Sequence, residues 1–257
     1  MQSNLTESQW NDFERLGFVK LGRIDQEHLR KLQDRIDAIM RGEAEIDYDQ
    51  LLMQLESENS AYHNLGGQTL GFKGASPNYR KIQNLEIDPD FLEYLRHPLF
   101  EAICRRVYGE DIPIAVFRAM FFNKPPKIGS ILPWHQDRWS DISPDPQITV
   151  WTAMDPATVE NGCLKIIPES HRHGLINPTQ PSGFLNQAQA ALICTPARTL
   201  HLELEPGEVV LLHNYLLHSS DPNRSAQSRR AFSVCYMQAC TLKDGQPVNF
   251  SPAFQTA

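Results

Sequence analysis

Ile114-Ala115-Val116-Phe117-Arg118-Ala119-Met120-Phe121-Phe122 begins the part of the sequence that decides the fold. After Gly109 the chain consists of short apolar or alternating runs, which proline, glycine and asparagine separate. Runs of this length and spacing are typical of β-strands in antiparallel sandwiches and barrels. The later runs are Ile148–Met154, Cys163–Ile167, Leu200–Leu204, Glu208–His213 and Ala231–Gln238. The sequence therefore predicts a mainly β protein with flanking helices, and it favours jelly-roll topology.

The first third of the chain has a helical pattern. Two amphipathic stretches, Thr6 to Gly17 and Asp25 to Gly42, begin with capping residues and end at glycine. Two further helices are predicted over Asp90–Arg96 and Pro98–Tyr108, the second with proline in its first turn. These helices are expected to pack against the β core.

The domain organisation follows from this order of elements. The chain has 257 residues, a length that one compact domain accommodates. No internal repeat or low-complexity tract marks a second unit. We expect one domain over residues 1–257, with a mainly helical flank over 1–110 and a β core over 111–240. Two proline-punctuated stretches, Lys124–Pro133 and Asn177–Pro196, are long enough to be functional loops.

Charge and cysteine content narrow the classes of partner. The formal net charge is −7 and no basic stripe occurs, so we expect neither nucleic acid nor a membrane as partner, but a small-molecule substrate. No apolar run approaches the length of a transmembrane helix, and no signal-peptide pattern begins the sequence. The five cysteines form no C-x-x-C pair, which is typical of reduced thiols. We therefore expect a cytoplasmic protein, while its oligomeric state stays open.

The sharpest local motif is Trp134-His135-Gln136-Asp137. Residues two apart on a strand point to the same face, so His135 and Asp137 can converge on one metal ion. A single H-x-D is a weak signal, because it is common by chance, and its value depends on a third ligand downstream. The candidates for that ligand are His171, His173, His201, His213 and His218.

His218 is the favoured third ligand. Ser219-Ser220 follows it directly, and Arg229-Arg230 begins the next strand. His213 and His218 are five apart and would face opposite ways on a regular strand, so at most one of them is expected to be a ligand. Two histidines and one carboxylate on one face of a metal are the ligand set of non-haem iron(II) oxygenases, with coordination positions left open.

Several linked motifs resemble the phytanoyl-CoA dioxygenase family. Lys81-Ile82-Gln83 is similar to its lysine-bearing strand, and Met120 to Pro126 to its strand and Asn-Lys-Pro-Pro turn. His135-Gln136-Asp137 resembles the family's triplet. Trp151 to Asp155 and Asn161 to Leu164 resemble the next two strands, and His218, Ser220 and Arg229 keep the family's spacing of two and eleven. The resemblance runs from about Lys81 to Tyr236.

The resemblance implies a double-stranded β-helix, which is a jelly-roll, cupin-like fold. It also implies an Fe(II) cofactor, 2-oxoglutarate as co-substrate, and O2. His135, Asp137 and His218 would be the metal ligands. By position, the co-substrate contacts carry over to Lys81, Met120, Gln136, Trp151, Ser220 and Arg229. Composition alone does not choose between Arg229 and Arg230; the family's spacing chooses Arg229, and Arg230 is then expected to be a surface charge.

The expected reaction follows from the same resemblance. Asp137 is retained, which counts against a halogenase, in which a small residue replaces the carboxylate. Hydroxylation or a related oxidation of a C–H bond, with release of succinate and CO2, is therefore the expected chemistry. Glu169 stands where the family usually has glycine, and this change is expected to alter a loop over the site.

The substrate is expected to be a small polar metabolite, either amino-acid-derived or a product of secondary metabolism. The expected walls of its site are the loop Asn59–Tyr79, the residues after the metal motif, and Asn177–Pro196 as a lid. The polar candidates for substrate contact are Lys73, Asn78 and Arg138, with Trp139 beside them.

Two alternatives remain open. A cupin-like metal-dependent hydrolase or isomerase would need only three protein ligands and water, but it would leave Lys81, Ser220 and Arg229 without a role. A non-catalytic small-molecule-binding protein on the same fold is the second alternative, because intact ligands do not prove turnover.

Overall fold

The computed structural model describes residues 1–181 and 183–255. Its helices are α1 Glu7–Leu16, α2 Gln26–Arg41, α3 Pro89–Leu95, α4 Pro98–Tyr108 and α5 Gln187–Ile193. Its strands are β1 Phe18–Arg23, β2 Leu52–Leu55, β3 Thr69–Leu70, β4 Tyr79–Gln83, β5 Ile114–Lys124, β6 Leu132–His135, β7 Ile142–Ser143, β8 Ile148–Ala153, β9 Leu164–Ile166, β10 Leu200–Leu202, β11 Glu208–His213, β12 His218–Ser220, β13 Arg229–Gln238, β14 Leu242–Lys243, β15 Gln246–Pro247 and β16 Ser251–Phe254.

The centre of the fold consists of two antiparallel sheets. The larger contains the order β11-β8-β13-β5, and the smaller has the order β10-β9-β12-β6. From β8 to β13 the chain passes from one of these sheets to the other at every connection except that between β9 and β10, as in the double-stranded β-helix or jelly roll. Strands β1 and β2–β4, which come from the first 110 residues, extend the larger sheet on its two sides. The predicted helical flank thus also contributes strands.

Alternation along the strands of the larger sheet separates two faces. Val150, Leu211 and Phe232 point to one face and join the main hydrophobic core with α1–α4. Their neighbours Trp151 and Leu212 point to the other face, towards the smaller sheet. Successive side chains of a strand face opposite ways, so one run of sequence supplies both a packed core and the wall of a cavity.

The helix ends follow the capping signals in the sequence. Thr6 and Gln9 form the predicted capping box of α1, and Gly17 ends that helix in the left-handed conformation, with φ 82°. Asp25 caps α2, and Gly42 ends it in the same conformation. These local signals fix where the two helices begin and end, and their apolar stripes lie against the larger sheet.

Two regions predicted as loops have more structure than expected. Residues 59–79 include a short 3₁₀ helix, the strand β3 and the first residue of β4. The stretch Asn177–Pro196 includes α5, which Asn186 begins with a capping box to Gln189. Within residues 1–181 and 183–255, no helix combines the length and the apolar composition that crossing a lipid bilayer requires.

Candidate metal centre

His135, Asp137 and His218 lie together at one end of the smaller sheet. One ligand atom from each residue lies within 4.8 Å of the other two. The carboxylate of Asp137 is 3.9 Å from Nε2 of each histidine. This is the donor set of the two-histidine, one-carboxylate metal sites. The structure therefore brings together the three residues predicted to bind a metal.

Strand pairing places the two histidines. His218 of β12 lies opposite His135 of β6 in the antiparallel register, and their ring centroids are 4.1 Å apart. The sequence pattern predicted His135 and Asp137 on one face of the same strand. In the structure β6 ends at His135, so Asp137 lies beyond the strand. The backbone N–H of Asp137 donates to the carbonyl of Asn214 at 2.7 Å, which holds the carboxylate near the histidines in place of a strand.

Both histidines present a free Nε2 to the common point. Nδ1 of His135 is 2.8 Å from the carbonyl oxygen of Pro133, and Nδ1 of His218 is 2.9 Å from that of Leu216. A carbonyl oxygen only accepts, so each Nδ1 carries the proton and donates. Burial, followed by the neighbouring His218 ring, lowers the pKa of His135 to about 3. The neutral imidazole, which is the form that binds a metal, is thus favoured.

The other candidate histidines lie elsewhere. Among residues 1–181 and 183–255, none of them joins the cluster. His171 and His213 contact each other, with ring centroids 5.0 Å apart, and His213 also lies against Phe13. His173 and His201 are exposed. The choice of His218 over His213 agrees with this arrangement.

The cluster opens into a cavity of about 290 Å³ between the two sheets. Five of the six residues predicted to contact the co-substrate line it: Lys81, Met120, Trp151, Ser220 and Arg229. His218 and Ser220 share a face of β12, as predicted from their spacing. The cavity therefore joins the candidate metal ligands to a guanidinium, an ammonium and a hydroxyl.

Arg229 is a buried cation with no carboxylate partner among the described residues. Its side chain lies over the Trp151 ring at 5.7 Å, and its Nε is buried with no hydrogen-bond acceptor among the described residues. Burial lowers the pKa of Arg229 to about 10. An unpaired buried guanidinium is unfavourable unless a ligand supplies an anion, and its planar N–H groups match a carboxylate. This observation fits a co-substrate with a carboxylate at that end of the cavity.

Gln136 differs from the prediction. It is not among the described residues that line the cavity. Its Nε2 donates to the carbonyls of Gly174 and Tyr215, and its Oε1 accepts from the N–H of Ile176. Gln136 points away from the metal cluster because it lies between His135 and Asp137. Its amide holds neighbouring loops together, so the geometry assigns it a positioning role instead of contact with the co-substrate.

The predicted substrate residues divide into two pairs. Arg138 and Trp139 line the cavity beyond the metal cluster. Lys73 and Asn78 are not among the described residues that line it. The ammonium of Lys73 donates to the carbonyl of Leu70, and the carbonyl of Asn78 accepts from the N–H of Glu56. Those two residues therefore hold the loop that contains them.

Among the residues of the cavity that sequence reasoning missed, three have large aromatic or charged side chains that the site can use: Tyr62, Arg118 and Phe184. The Phe184 ring stacks on His135 with centroids 5.0 Å apart, and Tyr62 packs against Phe184 at 6.0 Å. Phe184 belongs to the predicted lid Asn177–Pro196, whose Leu185 N–H donates to the carbonyl of Trp134. No local motif distinguishes these three side chains, because the contacts join parts of the chain that are far apart in sequence.

Comparison with known proteins agrees with the motifs. A family description, "Phytanoyl-CoA dioxygenase (PhyH)", matches residues 13–231 of this chain, which confirms the resemblance predicted from the sequence. A curated relative from Caenorhabditis elegans, "Probable phytanoyl-CoA dioxygenase", is 32% identical over 175 residues. That match covers 64% of this chain and 56% of the relative. The chain thus spans a little over half the length of that relative.

Solved structures of similar fold include SnoK and EctD. The "non-heme alpha ketoglutarate dependent carbocyclase SnoK" matches with a TM-score of 0.70 at 17% identity, covering 96% of this chain and 93% of SnoK. EctD from S. alaskensis with bound Fe matches with a TM-score of 0.71 at 18% identity, covering 96% of this chain and 86% of EctD. EctD with 2-oxoglutarate and 5-hydroxyectoine matches with a TM-score of 0.69, covering 91% of this chain and 77% of EctD. These likenesses show the fold, and the mainly β jelly-roll prediction is confirmed.

Proposed function

Because this chain belongs to the phytanoyl-CoA dioxygenase family, we propose that it is an Fe(II)- and 2-oxoglutarate-dependent dioxygenase. It would oxidise a C–H bond of a small polar metabolite and release succinate and CO2. One observation carries this proposal: a cluster of two histidines and one carboxylate opens into the same cavity as a buried guanidinium whose Nε has no acceptor in the part of the chain that the structure describes. A hydrolytic metal site needs only the first of these two features.

The residues that would hold the metal are His135, Asp137 and His218. Their donor atoms are two neutral imidazole nitrogens and a carboxylate oxygen, which suit Fe(II) and leave coordination positions for other ligands. Iron and 2-oxoglutarate, when bound, supply the activation of O2, with decarboxylation of the keto acid to succinate. The carbonyls of Pro133 and Leu216 hold both imidazoles in the tautomer that presents Nε2.

The residues that would bind the co-substrate lie along the cavity from the metal cluster. Arg229 offers a fork of N–H donors to the distal carboxylate, and the hydroxyl of Ser220 lies on the same side of β12 as His218. Trp151 packs against the guanidinium and restricts its orientation. Lys81 adds a second cationic group. We infer that these residues bind a dicarboxylate with its two ends fixed.

The aromatic wall would exclude water from the reacting atoms. Phe184 covers one face of the His135 ring, and Tyr62 packs against Phe184. Both belong to irregular segments outside the two central sheets, which suits a wall that forms around a substrate. The amino-acid-derived or secondary metabolite expected from the sequence would lie between this wall and Arg138 and Trp139.

Anaerobic addition of Fe(II) and 2-oxoglutarate to the purified chain tests the proposal. We expect a visible charge-transfer band that requires both components, because the keto acid must chelate the ion to produce it. A parallel sample with Zn(II) replaces the metal without producing the band. Binding of Zn(II) with no band in the Fe(II) sample would support a hydrolase or isomerase. A band without substrate-stimulated succinate release, across a screen of cell extracts, would favour a binding protein.

A further inference from the structure

Arg118 is a cationic side chain in the cavity to which the family resemblance gives no role. It lines the cavity of the metal cluster and also an outer cavity on the far side of Trp139. Its position on β5 results from a break in strand alternation. Ile114 and Val116 point into the main hydrophobic core, whereas farther along the strand Ala119 and Phe121 do so. The parity of the strand therefore changes between Val116 and Ala119.

A β-bulge causes this change. In the pairing with β13, Tyr236 lies opposite Val116 and Cys235 lies opposite Arg118, so Phe117 is the extra residue. Without the bulge, Arg118 would share the face of Val116 and would enter the apolar core. The bulge turns the guanidinium towards the cavity instead. Bulges next to active sites commonly redirect a side chain in this way.

Two aromatic rings hold the Arg118 guanidinium. Its central carbon lies 4.6 Å from the centroid of Trp139 and 5.0 Å from that of Phe117. The two rings contact each other in a T-shaped arrangement, with centroids 4.6 Å apart. Cation–π contacts of this kind restrict a long side chain before a ligand arrives. The N–H groups at the edge of the guanidinium remain for a hydrogen-bond acceptor.

Arg118 has no acidic partner among residues 1–181 and 183–255. No carboxylate lies within 4.0 Å of it, and its side chain makes no hydrogen bond there. Burial lowers the pKa of Arg118, and the charges of Asp137 and Asp141 offset only part of that effect. Arg118 is therefore a half-buried cation that forms no ion pair with a carboxylate of the described residues.

Counting the charged side chains that line the cavity also leaves Arg118 without an assigned anion. The described lining contains three arginines, Arg118, Arg138 and Arg229, one carboxylate, Asp137, and Lys81, whose pKa burial lowers to about 7. Asp137 and one carboxylate of 2-oxoglutarate would bind the metal, and the distal carboxylate would face Arg229, with Lys81 nearby. Arg138 has Asp145 at 3.9 Å. Arg118 is the cation that remains.

We propose that Arg118 is a substrate-binding residue, and that the molecule oxidised at this site is a small organic acid whose carboxylate it binds. The inference rests on the proposed function, since the substrate site is defined by the metal and the co-substrate. A carboxylate is planar and singly charged, which matches one guanidinium edge. A phosphate dianion would need a second cation, and Arg138, the other arginine on the substrate side, already has Asp145 at 3.9 Å. The cavity volume of about 290 Å³, shared with the co-substrate, requires a small acid.

Matched acids and amides test this assignment. The protein is loaded anaerobically with Fe(II) and saturating 2-oxoglutarate, and calorimetry measures binding of hexanoate, 3-phenylpropionate and N-acetyl-leucine. Each acid is compared with its neutral primary amide. We expect at least one acid to bind about tenfold or more tightly than its amide, the effect of losing one charge-assisted hydrogen bond. Failure of every acid to bind better than its amide would overturn the proposal.

Variants connect the preference to Arg118. Arg118→Gln is expected to bind acid and amide equally, and Arg118→Lys to keep part of the preference. Trp139→Leu, which removes the larger ring beneath the guanidinium, is expected to reduce it. Arg23→Gln removes an exposed arginine of β1 and serves as the matched control. Acid preference that survives in Arg118→Gln would contradict the assignment.

Binding of 2-oxoglutarate, measured separately, distinguishes failure of this inference from failure of the proposed function. The charge-transfer band of Fe(II) and 2-oxoglutarate is measured in the wild type before any acid is added. If the band forms but no acid is preferred, the substrate assignment fails alone. If no band forms, the proposed function fails. A loss of 2-oxoglutarate affinity in Arg118→Gln, with acid binding unchanged, would assign the residue to the co-substrate and overturn the inference.

Discussion

Arg229 and Arg230 are consecutive residues of β13 whose guanidinium groups lie on opposite faces of the larger sheet. Arg229 points into the cavity, over Trp151. Arg230 points away from it and donates to Asp155 at 2.8 Å and to Asp37 of α2 at 2.6 Å. The expectation that Arg230 is a surface charge is therefore wrong. Because successive side chains of a strand point to opposite faces, Arg229 lines the cavity and Arg230 forms an ion pair that connects β13 to α2.

Replacing Arg229 should separate function from stability. Arg229→Met removes the only guanidinium assigned to the distal carboxylate, so 2-oxoglutarate affinity should fall by roughly 100-fold or more. The same change removes an unpaired buried cation, and the free energy of unfolding without ligands should rise by about 1 kcal/mol. Calorimetric titration with 2-oxoglutarate and urea unfolding measure the two effects. Unchanged affinity would remove Arg229 from the co-substrate site.

Replacing Arg230 should have the opposite pattern. Arg230→Met leaves Asp155 and Asp37 without their cation, and both carboxylates are partly buried. Because solvent screens some of this loss, we expect the free energy of unfolding to fall by about 2–3 kcal/mol. Affinity for 2-oxoglutarate should stay within about twofold of the wild type, since the side chain lies on the other face. A variant as stable as the wild type would show that the ion pairs contribute little.

The sequence correctly predicted the positions of site residues whose side-chain direction follows from their spacing along a strand. His218 and Ser220 share strand parity, and strand β11 has the predicted bounds Glu208–His213. Arg118 could not be placed, because strict alternation from Ile114 would have put it in the core, and only the register with β13 reveals the bulge. Arg230 was misjudged because its partner Asp37 lies 193 positions away. Glu169 adopts φ 67°, a conformation that explains the family's glycine there.

Replacing a predicted metal ligand should abolish both metal binding and activity. His135→Ala and Asp137→Ala each remove one ligand, so Fe(II) binding and substrate-dependent succinate formation should both be abolished. His201→Ala, which replaces an exposed histidine outside the cluster, is the matched control and should retain both. Iron content after gel filtration and succinate release give the two readouts. Activity that persists in either ligand variant would remove that residue from the metal site.

Gly183 lies where the lid segment approaches the metal motif. It has φ 70°, and a Cβ at this position would lie 2.0 Å from the carbonyl oxygen of Gln136. Its own carbonyl accepts from the N–H of Gln136 at 3.1 Å. Gly183→Ala should therefore displace the neighbouring Phe184 from the His135 ring, and iron affinity should fall by roughly tenfold.

Gly245→Ala is the control for Gly183→Ala. Gly245 has a similar φ of 73°, but nothing lies within 4 Å of the added Cβ. This variant should lose only the backbone contribution, about 1 kcal/mol of stability, and iron affinity should not change. Equal effects of the two substitutions on iron binding would show that the contact with Gln136 has no role in the metal site.

His213 should make the protein less stable at mildly acidic pH. Burial, followed by the neighbouring His171, lowers the pKa of His213 to about 4. Its Nδ1 accepts from the N–H of Tyr215 at 3.0 Å, and protonation would remove that bond. In the unfolded chain the imidazole has a pKa near its ordinary value of about 6.5. Between these two values the unfolded state binds more protons, so the free energy of unfolding decreases as the pH falls from 6.5 towards 4.

The variant His213→Gln cannot bind that proton, so its acid-induced loss of stability should be smaller. Between pH 7.5 and 5 the difference from the wild type should be on the order of 1 kcal/mol in urea unfolding. His135 is present in both proteins and lies outside the His171–His213 contact, so its contribution cancels in the comparison. His201→Gln, at an exposed site, should follow the wild type. An unchanged pH dependence in His213→Gln would mean that this imidazole is already accessible to solvent protons in the folded state.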